Sequence, residues 1–267
     1  MYFLETLRLK NDVLYYFGWM CFLAAFLFFI LCILSPIQVK GTNAWFKPIK
    51  FSLSTGLFCW SMAWYMLYLK APLAISYYSF GVSFLLGLEI LYIAIQAGRG
   101  QMSHFNISSS FYSLMYSLMG IAATAVTLWT LYIGILFFTD KSIELPPYYL
   151  WSIRSGIFIF VLFALEGFVM GGKLSHSVGG SDGGLGLPFL NWSIFHGDPR
   201  VAHFTGMHAL QVIPLLSFYV FRSRFATTAL VFLYTLLAIL TLLQALNGKP
   251  LVKKSIDLNK DSNFIKS

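Results

Sequence analysis

Two carboxylates sit where a carboxylate is expensive. Glu89 and Glu166 each interrupt a long apolar run. An ionisable group in hydrocarbon turns by default toward a protein interior or a watery recess. Tyr92, Gln96 and Arg99 follow Glu89 at helical spacings of three and four residues. On a helix they share its face and draw a polar stripe that starts about 12 Å below the helix end. Such a stripe suits a proton-accepting or ligand-binding carboxylate, and also a structural one bonded to another helix. Glu166 lies about one turn from its helix end, ahead of Gly167, Gly171 and Gly172, close enough to the interface to reach water.

The five histidines, His104, His176, His196, His203 and His208, extend this chemistry. Asp198-Pro199 reads as a helix start, with Asp as N-cap and Pro at the first helical position. Arg200, Phe204, His208 and Gln211 then share one stripe. His203 precedes His208 by five residues, so the two project ~140° apart and meet different partners, such as Glu89 or Glu166. Histidine beside carboxylate suits general acid–base work or metal ligation. The candidates for catalysis are Glu89, Glu166 and His208; for substrate binding, Arg99, Arg200, Gln211 and Lys50; for a transition metal or haem, His104, His203 and His208. None of them has a standard ligand spacing, and a membrane histidine is often a hydrogen-bonded packing residue. Lys47 and Lys50 are also explained by snorkelling. His176 and His196 fall in a glycine-rich stretch, 171–197, whose composition fits a lid, a re-entrant loop or a solvated loop.

The elements that must carry these residues are membrane helices. Hydrophobic residues make up 58% of the 267-residue chain and charged ones 10%, with a mean hydropathy of +0.74. A soluble domain carries about a quarter charged residues, so lipid is the solvent that can hold this surface. The fold class expected is all-α, a polytopic membrane helix bundle. At about 20 apolar residues per span, seven spans are predicted, near 13–34, 51–69, 73–98, 112–138, 150–170, 201–221 and 225–246, as one domain over 1–246. A polar basic tail follows over 247–267, and no cleavable signal is expected. Cys21, Cys32 and Cys59 lie in apolar segments and read as small buried residues. The net charge of +8 is a topology signal with no nucleic-acid partner implied. An odd span count puts eleven Lys and Arg on the C-terminal side against seven on the other, favouring N-out, C-in. On that topology all five histidines share one side with the two longest inter-helix loops, and both carboxylates lie in the half-helix nearest it. A polar pocket opening to one face follows. Asn106-Ile107-Ser108 and Asn191-Trp192-Ser193 are formal glycosylation sequons.

Three strings are distinctive together: Ala44-Trp45-Phe46-Lys47-Pro48-Ile49-Lys50-Phe51, then Ile95 to Asn106 (IQAGRGQMSHFN), then Gly197 to Gln211 (GDPRVAHFTGMHALQ). The chain resembles, in these strings and across most of its spans, a family of uncharacterised bacterial multi-pass membrane proteins. The resemblance implies a bacterial cytoplasmic (inner) membrane and adds weight to Glu89, Arg99, His104, Arg200, His203 and His208. It implies no activity. His196 stands where relatives are expected to have glycine. The layout is also loosely similar to seven-helix zinc hydrolases of the ceramidase and progestin-receptor type, but the last predicted helix holds no histidine.

Three functions fit these residues. One is a membrane-embedded enzyme, or a metal- or haem-binding protein, acting on a lipophilic substrate. Another is a proton-coupled transporter or ligand sensor, with arginines for an anionic small molecule. The third is an accessory subunit of a membrane complex.

Overall fold

The computed structural model describes residues 3–183 and 186–253. The far end of the basic tail, from 254, lies outside the described residues. Among them are eight α-helices: α1 (Phe3–Lys10), α2 (Asp12–Leu34), α3 (Phe46–Met66), α4 (Pro72–Gly98), α5 (Ser110–Thr139), α6 (Pro147–Lys173), α7 (Arg200–Leu216) and α8 (Arg224–Leu246). A two-residue hairpin, β1 (Gln38–Val39) with β2 (Thr42–Asn43), links α2 to α3.

Six of these helices, not seven, are long and apolar enough to cross a membrane: α2, α4, α5, α6, α8, and α7 with the π-helical turn that extends it to Phe221. The exception among the expected spans is α3. It is 21 residues long, but Lys47, Lys50 and several Ser and Thr dilute its apolar residues, and eleven of its residues are buried. It runs antiparallel to α2. Trp60 donates to the Tyr15 carbonyl at 3.2 Å near one end, and Trp45 stacks on Phe28 at 5.8 Å near the other. Protein neighbours therefore enclose much of a helix that composition alone does not commit to lipid. The N-out, C-in expectation needed an odd number of spans and does not follow from six. The chain is a multi-pass integral membrane protein, and apolar side chains such as Leu34 (73% exposed) and Phe225 (86% exposed) point outward, as lipid requires.

Helices α6 and α7 form the tightest pair at the core. Gly206 permits it: a Cβ there would sit 2.0 Å from the Phe163 ring. Pro214, inside α7, has no N–H to give the Leu210 carbonyl one turn back. The Tyr65 hydroxyl of α3 donates to that carbonyl at 2.7 Å instead. Such a replacement is obligatory for a buried backbone acceptor. It also ties the last turn of α3 to α7.

Candidate functional site

The C-terminal ends of α4 and α6, the N-terminal ends of α3 and α7, and the hairpin meet at one end of the bundle. The chain leaves α4 through a left-handed Gly100 (φ 64°), with the Gln101 N–H bonded to the Gln96 carbonyl at 2.9 Å. This reversal, the usual Gly-dependent helix stop, sends 101–106 back over the helix. His104 thereby comes to Glu89, with Nε2 3.8 Å from Oε1. That is a close approach, longer than a hydrogen bond. The Phe51 ring flanks His104 at 5.7 Å, and Lys47 lies 5.7 Å from the same ring.

A second pair joins α6 to α7. His203 Nδ1 is 3.4 Å from Glu166 Oε2, but neither carboxylate oxygen nor Nδ1 meets hydrogen-bond geometry with any partner. Glu166 is 9% exposed. The imidazole reaches it across Gly167, where a Cβ would come within 3.2 Å of His203 Cε1. His203 is aimed by its helix start. Asp198, expected as an N-cap, lies just ahead of α7 and is 1% exposed. It accepts the Ser193 N–H at 2.8 Å, the Arg200 N–H at 3.1 Å, and the Arg200 guanidinium at 2.9 and 2.6 Å.

A third pair escaped sequence reasoning. Asp182 Oδ2 accepts from Lys40 of the hairpin at 3.0 Å and contacts His176 Nδ1 at 3.1 Å, while Oδ1 takes the His176 N–H at 3.2 Å. Phe105 packs on the His176 ring at 4.7 Å. The one available signal was an acid inside the glycine-rich stretch beside a histidine.

All three pairs have the same layering. The imidazole is the outer member, with side chains 22%, 29% and 26% exposed for His104, His203 and His176, over carboxylates at 8%, 6% and 13%. Burial holds His104 well below the ordinary histidine range, and the positive charges of Lys47, His176 and His203 push the same way. Burial also lowers His176, against the pull of Asp182. Burial would raise Asp182, but its bonds to His176 and Lys40 outweigh that and leave it below the ordinary carboxylate range.

The remaining candidates fall elsewhere. His208 turns to Gln211, Nδ1 to Oε1 at 3.3 Å, under Phe204 at 4.2 Å. Arg99 caps α4 exposed to solvent, so the Glu89 stripe is buried through Tyr92 and Gln96 and ends in an outward cation. Lys50 donates to the Leu190 carbonyl at 3.0 Å. The set His104, His203 and His208 is not assembled as metal ligands: each has a different partner, because the 140° between His203 and His208 sends them to different neighbours. Among the described residues no three His, Cys, Asp or Glu side chains gather. Among the described residues, the recess bounded by Asp198, Val201, Gln244 and Lys249 has no room for a water molecule. Asn106, of the first sequon, is 3% exposed and bonded within its own loop.

No family model, curated protein or solved structure matches the chain. Fold and site thus define a class, the polytopic membrane proteins with buried histidine–carboxylate pairs at one end, and chemistry must carry the reading further.

Proposed function

We propose that this protein handles protons at one face of its membrane, as a proton-coupled carrier or a proton-responsive sensor. The observation that carries the reading is the layering of Glu89 under His104 and Glu166 under His203. A partly accessible imidazole over a dry carboxylate can take a proton from water and pass it inward, or return it. A positive charge on His203 disfavours protonation of His104. Glu89 and Glu166 are the proton acceptors, and His104 and His203 the groups that deliver. In the family that the three strings resemble, the setting would be a bacterial inner membrane.

The same pairs would serve as general acid and base in a membrane-embedded enzyme for a lipophilic substrate, the second reading. What favours proton handling is that each carboxylate is covered by its own histidine, whereas an enzyme's base must face the substrate.

Infrared difference spectra of the protein in liposomes, stepped from about pH 8 to about pH 5, test the proposal. Carboxyl bands of Glu89 and Glu166 should appear, one vanishing in Glu89→Gln and one in Glu166→Gln. Spectra unchanged by both substitutions would remove the acid–base role.

A further inference from the structure

The α3 N-terminus carries an arrangement that the proton chemistry does not use. Its first turn holds no acidic residue, and no side chain caps it. Carboxylates are the usual company of a helix N-terminus, which bears the positive end of the helix dipole. Here Lys47 stands in that turn and Lys50 just beyond it, three residues apart and on one face. Burial above all pushes Lys47 down to about 7 and Lys50 to about 8, and repulsion from Arg200 adds to it in both, so an anion there would favour their charged forms.

Neutral backbone meets two of these three cations. The Leu190 carbonyl accepts from Lys50 at 3.0 Å, and the next carbonyl, Asn191, accepts from Arg200 Nη2 at 2.6 Å. Two consecutive carbonyls thus stand where two cations converge. The turn that delivers them is strained, with Phe189 at φ 62° and Asn191 at φ 57°. Asparagine tolerates that region, whereas phenylalanine seldom enters it. Lys47 makes a cation–π contact with Phe51 at 5.7 Å and, among the described residues, no hydrogen bond to an acceptor. Asp198 balances Arg200 through its bidentate bond. Glu89, the acid whose charge acts most on Lys47, is buried beside His104.

We propose that Lys47, Lys50 and Arg200 form a binding site for a phosphate group, borne by an anionic lipid headgroup or free in solution. The Leu190 and Asn191 carbonyls are the neutral acceptors that it displaces. A phosphate offers several strong acceptor oxygens to ammonium and guanidinium donors, and a helix N-terminus adds its dipole. Displacement would free the 187–192 turn from its left-handed residues, so binding and movement of this loop are one event.

The test uses the full chain in nanodiscs of phosphatidylcholine. Inorganic phosphate is titrated against chloride at matched ionic strength, and tryptophan fluorescence and thermal midpoint are followed. A parallel series replaces part of the lipid with phosphatidylglycerol, and native mass spectrometry counts retained lipid. The expected result is a midpoint raised by phosphate, by phosphatidylglycerol or by both, and the responding arm identifies the source. Lys47→Gln should weaken that binding about tenfold, the scale of one charge-assisted hydrogen bond. Lys50→Gln should do the same while also loosening the turn. Lys47→Gln decides the matter, because it breaks no hydrogen bond that holds the fold. Lys141→Gln, at an exposed position, should leave binding unchanged. No response to either anion, equal binding by Lys47→Gln, or an equal loss in Lys141→Gln would overturn the site.

Discussion

Where α6 begins, Trp64 donates to the Tyr149 hydroxyl at 3.1 Å, and Tyr149 packs on Phe218 at 5.1 Å. Arg154 and Asp140 nearby are held by hydrogen bonds. Arg154 Nε gives a hydrogen bond to the last-turn Phe137 carbonyl of α5 at 2.9 Å. Asp140 accepts from Ser142 at 2.6 Å and from the Lys70 N–H at 3.0 Å, and these bonds, Ser142's first, hold its carboxyl below the ordinary range. Where α6 ends, Glu166 and His203 face each other with no hydrogen bond made, and His104 lies 3.8 Å from Glu89. One end uses polar groups as fasteners. The other fastens Asp182 and Asp198 but keeps Glu89 with His104 and Glu166 with His203 close and unbonded, which costs stability but leaves their protons free to move. The difference teaches that the costly end is the one to examine for function.

Four changes would break or sharpen this contrast. The largest effect is expected from Asp198→Ala, which removes four hydrogen bonds and strands the partly buried Arg200. A loss of about 3 kcal/mol is expected, read as a lower unfolding midpoint in detergent together with faster proteolysis of the 174–199 loop. A stable variant with an intact loop would show that the polar end does not depend on this fastener. Next, Tyr65→Phe leaves the Leu210 carbonyl without its donor and should cost about 2 kcal/mol by the same assay; an unchanged midpoint would mean that α3 is not tied to α7 through this bond.

Acid should act more weakly, and at the polar end. His104 and His176 are both held below the ordinary value near 6.5. In the window from that value down to their folded values, the unfolded chain binds more protons, so stability falls as pH falls. The unfolding midpoint should therefore fall measurably between about pH 6.5 and about pH 5.5. Asp182, also lowered, adds a loss only below about pH 4. His104→Gln should flatten the upper part of this profile, and a profile identical to that of the parent chain would refute the assignment. Smallest is Glu166→Gln. Neither carboxylate oxygen has a hydrogen bond to lose, so stability should hold or rise by up to about 1 kcal/mol. A loss above about 2 kcal/mol would reveal a partnered carboxylate and bring the polar end closer to the fastened one.

Much of the frame was legible from residues alone. The six apolar helices begin and end within a few residues of the runs that announce them. Burial of Glu89 and Glu166 followed from the price of a charge in lipid. One of the seven expected spans, the second, does not form as a candidate span. Residues 51–69 read as apolar in isolation, yet the helix that forms begins at Phe46 and takes in Lys47 and Lys50. Asp182 was passed over because its partners, Lys40 and His176, lie 142 and 6 residues away.

Hydropathy is a sum over neighbours in the chain, so the residues by themselves determined the solvent, the helices and the rule that any buried charge must face protein. Which imidazole lies over which carboxylate depends on how helices are rotated and how closely they approach. Those were decided in three dimensions, by the Gly100 reversal for Glu89 and His104, and by the contacts at Gly167 and Gly206 for Glu166 and His203.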